Sequence, residues 1–409
     1  MSPWQLRQRW HSIFSRSGIK WNGERISAGL TSSASISMVT VRRKLCSLAV
    51  RDTYYGQKYL HVYNLADATQ ELSTTAYGAY DVKIGDVDAD GRDEIVLASG
   101  HILDGASHTE EWAYVGGFGV EIGLADIDGD PALEIIGMSS TSYITAFDGE
   151  QHTPLWQINT DSEQNALHLT DLEGDGKIEI LMGNAQGGVH CYSAVTQQKL
   201  WQVDNSSYGV TNIATGDPDG DNVKEVLWGT RQSFGGAGLF IAGAKNRQVE
   251  WQSKILNGPF YVDVFDVEND GVPEIVGASR SSNGGYNAGA VFVHDGFRHS
   301  LEWFSNELSF DYYGNISALA AGNINQSGTG EIVVGLGSRL SVWDGVSHRK
   351  IWESPDLNTS VNAIALADVD NDHTTEIVVG DERGYITIYN GETLAQERPL
   401  FLKSWMRLR

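Results

Sequence analysis

Residues 85–100 read GDVDADGRDEIVLASG: five acidic side chains fall within nine positions, and an apolar, β-branched run follows at once. Like charges crowded this closely repel one another and oppose folding unless something neutralises them. One copy would suit a solvated turn, but the stretch is not single. It recurs as DIDGDPALEIIG (126–137), DLEGDGKIEILMG (171–183), DPDGDNVKEVLWG (217–229), DVENDGVPEIVG (266–277), NINQSGTGEIVVG (323–335) and DVDNDHTTEIVVG (368–380). The seven copies start 40, 45, 46, 49, 57 and 45 residues apart.

A second motif alternates with the first. It is an apolar strand, a short turn and then a tryptophan: HILDGASHTEEW (101–112), TAFDGEQHTPLW (145–156), CYSAVTQQKLW (191–201), FIAGAKNRQVEW (240–251), FVHDGFRHSLEW (292–303) and SVWDGVSHRKIW (341–352). Weaker copies at 61–72 and 387–394 bring the number to eight. A period near 45 residues with three or four short strands per unit predicts an all-β fold, a β-propeller with one sheet per repeat. The runs after the acidic loops are β-branched, end in glycine and read as well-buried strands. Trp112, Trp156, Trp201, Trp251, Trp303 and Trp352 fall at one place in the unit and are expected to pack between neighbouring blades. Eight strand motifs favour eight blades, the first lacking an acidic loop and closed by pairing between the chain ends. Seven acidic loops keep seven blades plus a hairpin as the alternative.

The acidic loop, the aromatic-Gly before it (Tyr77-Gly78, Phe118-Gly119, Tyr208-Gly209, Tyr313-Gly314) and the apolar strand after it resemble FG-GAP repeats. Those are the calcium-loop propeller repeats of integrin alpha chains and of many secreted bacterial proteins. The resemblance covers roughly residues 45–395. It implies calcium-binding loops between the first two strands of most blades. The D-G…W element also looks like the tryptophan-docking strand of quinoprotein propellers, but no adjacent cysteine pair accompanies it.

Each loop follows D-x-D/E-x-D-G-x-x-E. Carboxylates at positions 1, 3 and 5 converge when the chain curls, position 7 offers a backbone carbonyl and position 9 a last carboxylate. Hard oxygen donors in this number suit Ca²⁺. The expected ligands are Asp86, Asp88, Asp90, Arg92 and Glu94; Asp126, Asp128, Asp130, Ala132 and Glu134; Asp171, Glu173, Asp175, Lys177 and Glu179; Asp217, Asp219, Asp221, Val223 and Glu225; Asp266, Glu268, Asp270, Val272 and Glu274; Asp368, Asp370, Asp372, Thr374 and Glu376. The sixth copy has Asn323, Asn325 and Ser327 with only Glu331, and is expected to bind nothing. Pro131, Asn222 and His373 replace the position-6 glycine. An EF-hand is excluded because position 12 lies inside a strand pattern rather than carrying glutamate. Six sites of four carboxylates use 24 of the 53 acidic residues, and about six Ca²⁺ would halve the formal charge of -24. Metal binding and folding are therefore expected to be coupled.

The first 44 residues stand apart, with eight Lys/Arg and one acid, which leaves 21 basic against 52 acidic residues in the rest. They read as a basic extension without the apolar segment of a secretory signal. Residues 45–402 read as one propeller domain and 403–409 as a tail. The acidic body argues against nucleic acid as a partner, no run is long enough to be a transmembrane segment, and a monomer is expected. Cys46 and Cys191 imply neither a disulfide framework nor a zinc site. Calcium use points to an extracellular or periplasmic home.

No HExxH, GxSxG or P-loop is present, and His168 and His190 read as packed or surface residues. The expected function is a calcium-binding, non-enzymatic interaction or adhesion module, presenting a propeller face to a protein or carbohydrate ligand. Tyr77, Phe118, Tyr208, Phe260, Tyr261, Tyr312 and Tyr313 either rim the face opposite the acidic loops or, for the aromatic-Gly residues, pack between blades. The alternative is a polysaccharide-degrading enzyme resembling the eight-bladed rhamnogalacturonan lyases, which would need a Lys-, Arg- or His-rich cleft.

Overall fold

The computed structural model describes residues 37–41, 44–51, 57–64, 69–160, 162–204, 209–221, 223–230, 238–253, 260–279, 289–305, 308, 316–369, 372–381 and 386–400. Among them the chain forms eight four-stranded antiparallel sheets and no helix, each sheet a meander of consecutive strands. The first strands are β1 (Ser37–Val41), β5 (Val82–Gly85), β9 (Glu121–Ala125), β13 (Gln164–Thr170), β17 (Val210–Gly216), β21 (Phe260–Phe265), β25 (Ile316–Gly322) and β29 (Val361–Ala367). Each touches the first strand of the next sheet, from β1–β5 through β25–β29. The architecture is thus a propeller-like repeat of sheets.

The second strands after the acidic loops are β6 (Glu94–Leu97), β10 (Glu134–Met138), β14 (Glu179–Asn184), β18 (Glu225–Thr230), β22 (Glu274–Ser279), β26 (Glu331–Leu336) and β30 (Glu376–Asp381). Except for Leu336 at the end of β26, every residue in them is buried. Two covered faces explain why these runs are continuously apolar rather than alternating. In the fourth strands the pattern thins out: β8 (Glu110–Ala113), β12 (Thr153–Asn159), β20 (Val249–Gln252) and β28 (Lys350–Glu353) are largely exposed. Their tryptophans are the exception.

One apolar cluster fills each seam between consecutive sheets. Trp112 packs with Phe118 and Phe147, Trp156 with Tyr192, Trp201 with Phe240, Trp251 with Phe292, Trp303 with Trp343 and Trp352 with Tyr389. The tryptophans therefore pack between sheets, as their spacing indicates. A second partner was not legible in the spacing. In the second to eighth sheets the turn before the fourth strand holds one residue at positive φ: His108, His152, Gln197, Arg247, His299, His348 and Leu394. Three of these lie on the tryptophan of the preceding sheet. The ring centroids are 5.0 Å apart for Trp112–His152 and Trp303–His348, and 5.5 Å for Trp251–His299.

One expectation is corrected here. The first sheet includes Ser37–Val41 and Lys44–Arg51, so strand structure begins inside the stretch assigned to the basic extension. The cause is visible in SMVTV, whose β-branched Val39, Thr40 and Val41 pair with Cys46, Leu45 and Lys44. Of the two places open to the aromatics, the seam holds Phe118 and Tyr261, which are buried in the clusters between sheets. Tyr77 is half-buried against His101, at 4.9 Å. Tyr208, Tyr312, Tyr313 and the side chain of Phe260 lie outside the described residues, as do residues 403–409.

Candidate functional site

Antiparallel pairing puts the loop between the first and second strands at the same end of a sheet as the turn between the third and fourth. All seven acidic loops hang from that end, and each is closed by a pair that includes its last glutamate. These pairs are Gly85–Glu94, Ala125–Glu134, Thr170–Glu179, Gly216–Glu225, Phe265–Glu274, Gly322–Glu331 and Ala367–Glu376.

The loop curls because its own side chains hold it. The position-5 aspartate accepts the N–H two residues on: Arg92 to Asp90, Ala132 to Asp130, Lys177 to Asp175, Val223 to Asp221, Val272 to Asp270 and Thr374 to Asp372, at 2.7–2.9 Å. Aspartates readily make such turns. The position-1 aspartate accepts from position 6, as in Gly91 to Asp86 and Gly271 to Asp266, both 2.9 Å. His373 makes the same bond to Asp368 at 3.1 Å with a φ of 73°. Its replacement of glycine therefore keeps the turn.

Where the curl closes, carboxylate oxygens meet. Oxygens within 4.8 Å of one another come from Asp86, Asp88 and Asp90; from Asp126, Asp128 and Glu134; from Asp217, Asp219 and Glu225; and from Asp266, Asp270 and Glu274. Four of the six expected loops thus gather their acids. In the fourth sheet the Lys177 ammonium bonds to Asp175 and Arg247 lies 3.7 Å from Glu173, so basic side chains sit among the acids. In the eighth sheet Asp370 is outside the described residues, and those that are described form no such group. Glu268 lies outside the sixth-sheet group.

The closing glutamates are buried. Burial and the neighbouring loop acids push Glu94 and Glu225 up to about 8, and Glu134 and Glu274 up to about 7. Glu179 is raised in the same way, and Glu331 is raised by burial and by Asp344. Asp86 Oδ1 and Glu225 Oε2 are buried without a hydrogen-bond partner among the described residues. A carboxylate in that state calls for a proton or a cation. The donor set, all carboxylate oxygen, fits a hard divalent ion such as Ca²⁺.

One ligand-type residue escaped the sequence reading. Glu111 of β8 brings a carboxylate oxygen within 4.8 Å of Asp88 and Glu94. The signal was available: the residue before the seam tryptophan is glutamate at 111, 250 and 302 but leucine or isoleucine at 155, 200 and 351.

Two concavities open near the loops. A cavity of about 1140 Å³ is bounded by inner-strand residues including His168, Thr215, Asp263 and Leu366, with Asp217 and Asp266 at its edge. His168 Nε2 lies 3.1 Å from Thr215 Oγ1. Asp263 accepts the N–H groups of Val264 and Ala321, and burial still pushes it up to about 6. A groove of about 580 Å³ lies between the third and fourth sheets, lined by Asp126, Asp128, Leu155, Trp156, Lys177 and Val195. Among the described residues, basic side chains are paired with acids at separate places, as in Lys83–Asp81, Lys245–Asp221 and Arg298–Asp295, with Arg92 between Asp90 and Asp104 and Arg339 between Glu353 and Asp356. They do not line a common cleft. No described helix is long and apolar enough to cross a membrane.

No protein-family profile and no curated protein sequence matches the chain. Solved structures do. The computationally designed Ika8 protein aligns with a TM-score of 0.56 at 12% identity, over 91% of this chain and 98% of its own. BBS1N, solved in complex with ARL6DN and soaked with mercury, aligns with a TM-score of 0.52 at 11% identity, over 79% of this chain and 94% of its own. The lead-soaked form of that complex gives 0.51 at 13% identity over the same shares. BBS1N is propeller-like, and at these identities the likeness is one of fold alone.

Proposed function

We propose that the chain is a closed eight-bladed β-propeller of FG-GAP-like repeats, stapled by Ca²⁺ in its acidic loops. It serves as a non-enzymatic interaction module, a monomer presenting its loop-bearing end to a protein or carbohydrate ligand. The observation that carries this reading is the recurrence of one acidic group at one place: four sheets gather three carboxylate oxygens within 4.8 Å beside a buried glutamate. Solvated turns have no reason to gather further carboxylates around a buried one in four sheets. The ion would be held by the carboxylates at positions 1, 3, 5 and 9 and the position-7 carbonyl.

Eight blades are supported by eight sheets whose first strands touch in succession. The groove beside Trp156, with apolar walls and carboxylates at its rim, suits a sugar or a peptide segment. The described basic residues are paired with acids at separate places rather than gathered in one cleft, which speaks against the lyase reading. Reliance on Ca²⁺ suits an extracellular or periplasmic protein.

The test is calorimetric unfolding of the full chain in saturating Ca²⁺ and in EDTA, with metal counting after dialysis. The reading expects several bound ions per chain. It also expects a large loss of stability on chelation, about 4 kcal/mol for each site held at a thousand times its Kd. No bound metal and no shift would remove the calcium argument. Release of an unsaturated uronate from pectic polysaccharide would overturn the non-enzymatic part.

A further inference from the structure

Six of the seven closing glutamates share one bond. Oε2 accepts the main-chain N–H of the second loop residue: Val87, Ile127, Leu172, Val267, Ile324 and Val369, at 2.7–3.0 Å. The fifth sheet breaks the pattern. Its second loop residue is Pro218, which has no N–H to give. Glu225 is only 5% exposed, and its Oε2 has no partner among the described residues.

The neighbouring cations do not fill the gap. Lys224 Nζ donates to Thr170 Oγ1 and the Asp171 carbonyl of the fourth sheet, at 3.2 and 2.6 Å. Lys245 lies 3.6 Å from Asp221, at the exposed rim. Glu225 oxygen stays grouped with Asp217 and Asp219, and Glu250 of β20 adds further negative charge nearby. A buried carboxylate with no donor is costly, and a cation at this place would satisfy it.

We propose that loop 217–225 is the tightest divalent-cation site of the chain, because Pro218 leaves Glu225 without a competing main-chain donor. This rests on the reading of the loops as metal sites. Elsewhere an ion must share the glutamate with a peptide N–H or displace it. Here the whole carboxylate is open to the ion, with Asp217 and Asp219 beside it.

The test is stepwise Ca²⁺ titration of the metal-free full chain by calorimetry, with the bound ions counted. Wild type is expected to show one step about tenfold tighter than the rest, the size of one charge-assisted hydrogen bond in competition. Pro218→Ala restores an N–H and should merge that step with the others, at an unchanged ion count. Glu225→Gln should abolish the tight step and lower the count by one, and circular dichroism of both variants checks that they fold. If ions bind but Pro218→Ala titrates like wild type, this inference falls and the loop reading stands. If no ion binds, both fall.

Discussion

The loops of the fifth and seventh sheets hang from the same frame and satisfy the same buried glutamate in opposite ways. Glu331 accepts the Ile324 N–H on Oε2 at 3.0 Å and the Asn325 side-chain amide on Oε1 at 2.5 Å. Glu225 has neither donor, and acids stand where the asparagines are. One carboxylate is complete within the protein, whereas the other is complete only with a proton or an ion. The repeat therefore preserves a buried acid at one point in the sheet and varies what neutralises it.

Removing the charge should separate the two most sharply. Glu331→Gln sets an amide against donors and should cost about 1–3 kcal/mol in Ca²⁺ and in EDTA alike. Glu225→Gln should stabilise the chain in EDTA and destabilise it in Ca²⁺, a reversal of sign read from paired melting curves. A shared sign for Glu225→Gln would break the comparison.

Converting one loop into the other sharpens it further. Asn323→Asp, Asn325→Asp and Ser327→Asp together should add one bound ion per chain by metal counting. They should also lower stability in EDTA, because Glu331 loses its amide donor.

A smaller effect is expected from pH. The glutamates that burial raises to about 7 and 8 titrate far above their unfolded range. A folded pKa above the unfolded one means stability present at low pH and lost as pH rises through the folded value. In EDTA, melting temperature should therefore rise as pH falls from about 8 to 6. In saturating Ca²⁺ the trend should reverse, since protons compete with the ion. Parallel profiles would sink the idea that these carboxylates hold metal.

The smallest effect belongs to the fourth sheet, where Lys177 occupies Asp175 at an exposed position. Lys177→Ala should leave stability nearly unchanged while tightening Ca²⁺ at that loop, read in the same titration.

Much of this was legible in the sequence. The repeat, the buried strand after each loop and the tryptophan seams follow from period and residue type alone. The neutralising partners were not, because they depend on what is absent as much as on what is present. Pro218 reads as an ordinary turn residue until the N–H it lacks is needed by a glutamate seven positions on. Glu111 reads as surface charge until β8 folds back beside the loop. The start of the first sheet was hidden because SMVTV carries no loop signature, and the choice between rim and seam for Phe118 stayed open because its burial is decided by Phe147.

The seam contact between turn residue and tryptophan has a consequence for how such a chain is assembled. The contact is directional: at three seams a sheet lays its left-handed turn over the tryptophan behind it, and the third and sixth sheets also carry a tryptophan facing the sheet ahead. That is head-to-tail tiling, in which such a tile carries both halves of one joint. Whether tiles meet in a ring or run on as a stack is fixed by the rotation from one to the next, not by the chemistry of the joint. Whole tiles can be gained or lost by duplication without inventing a new contact. The joint that matters most is the one where tiling stops, because the last outer strand, Gln396–Leu400, has no tryptophan to offer.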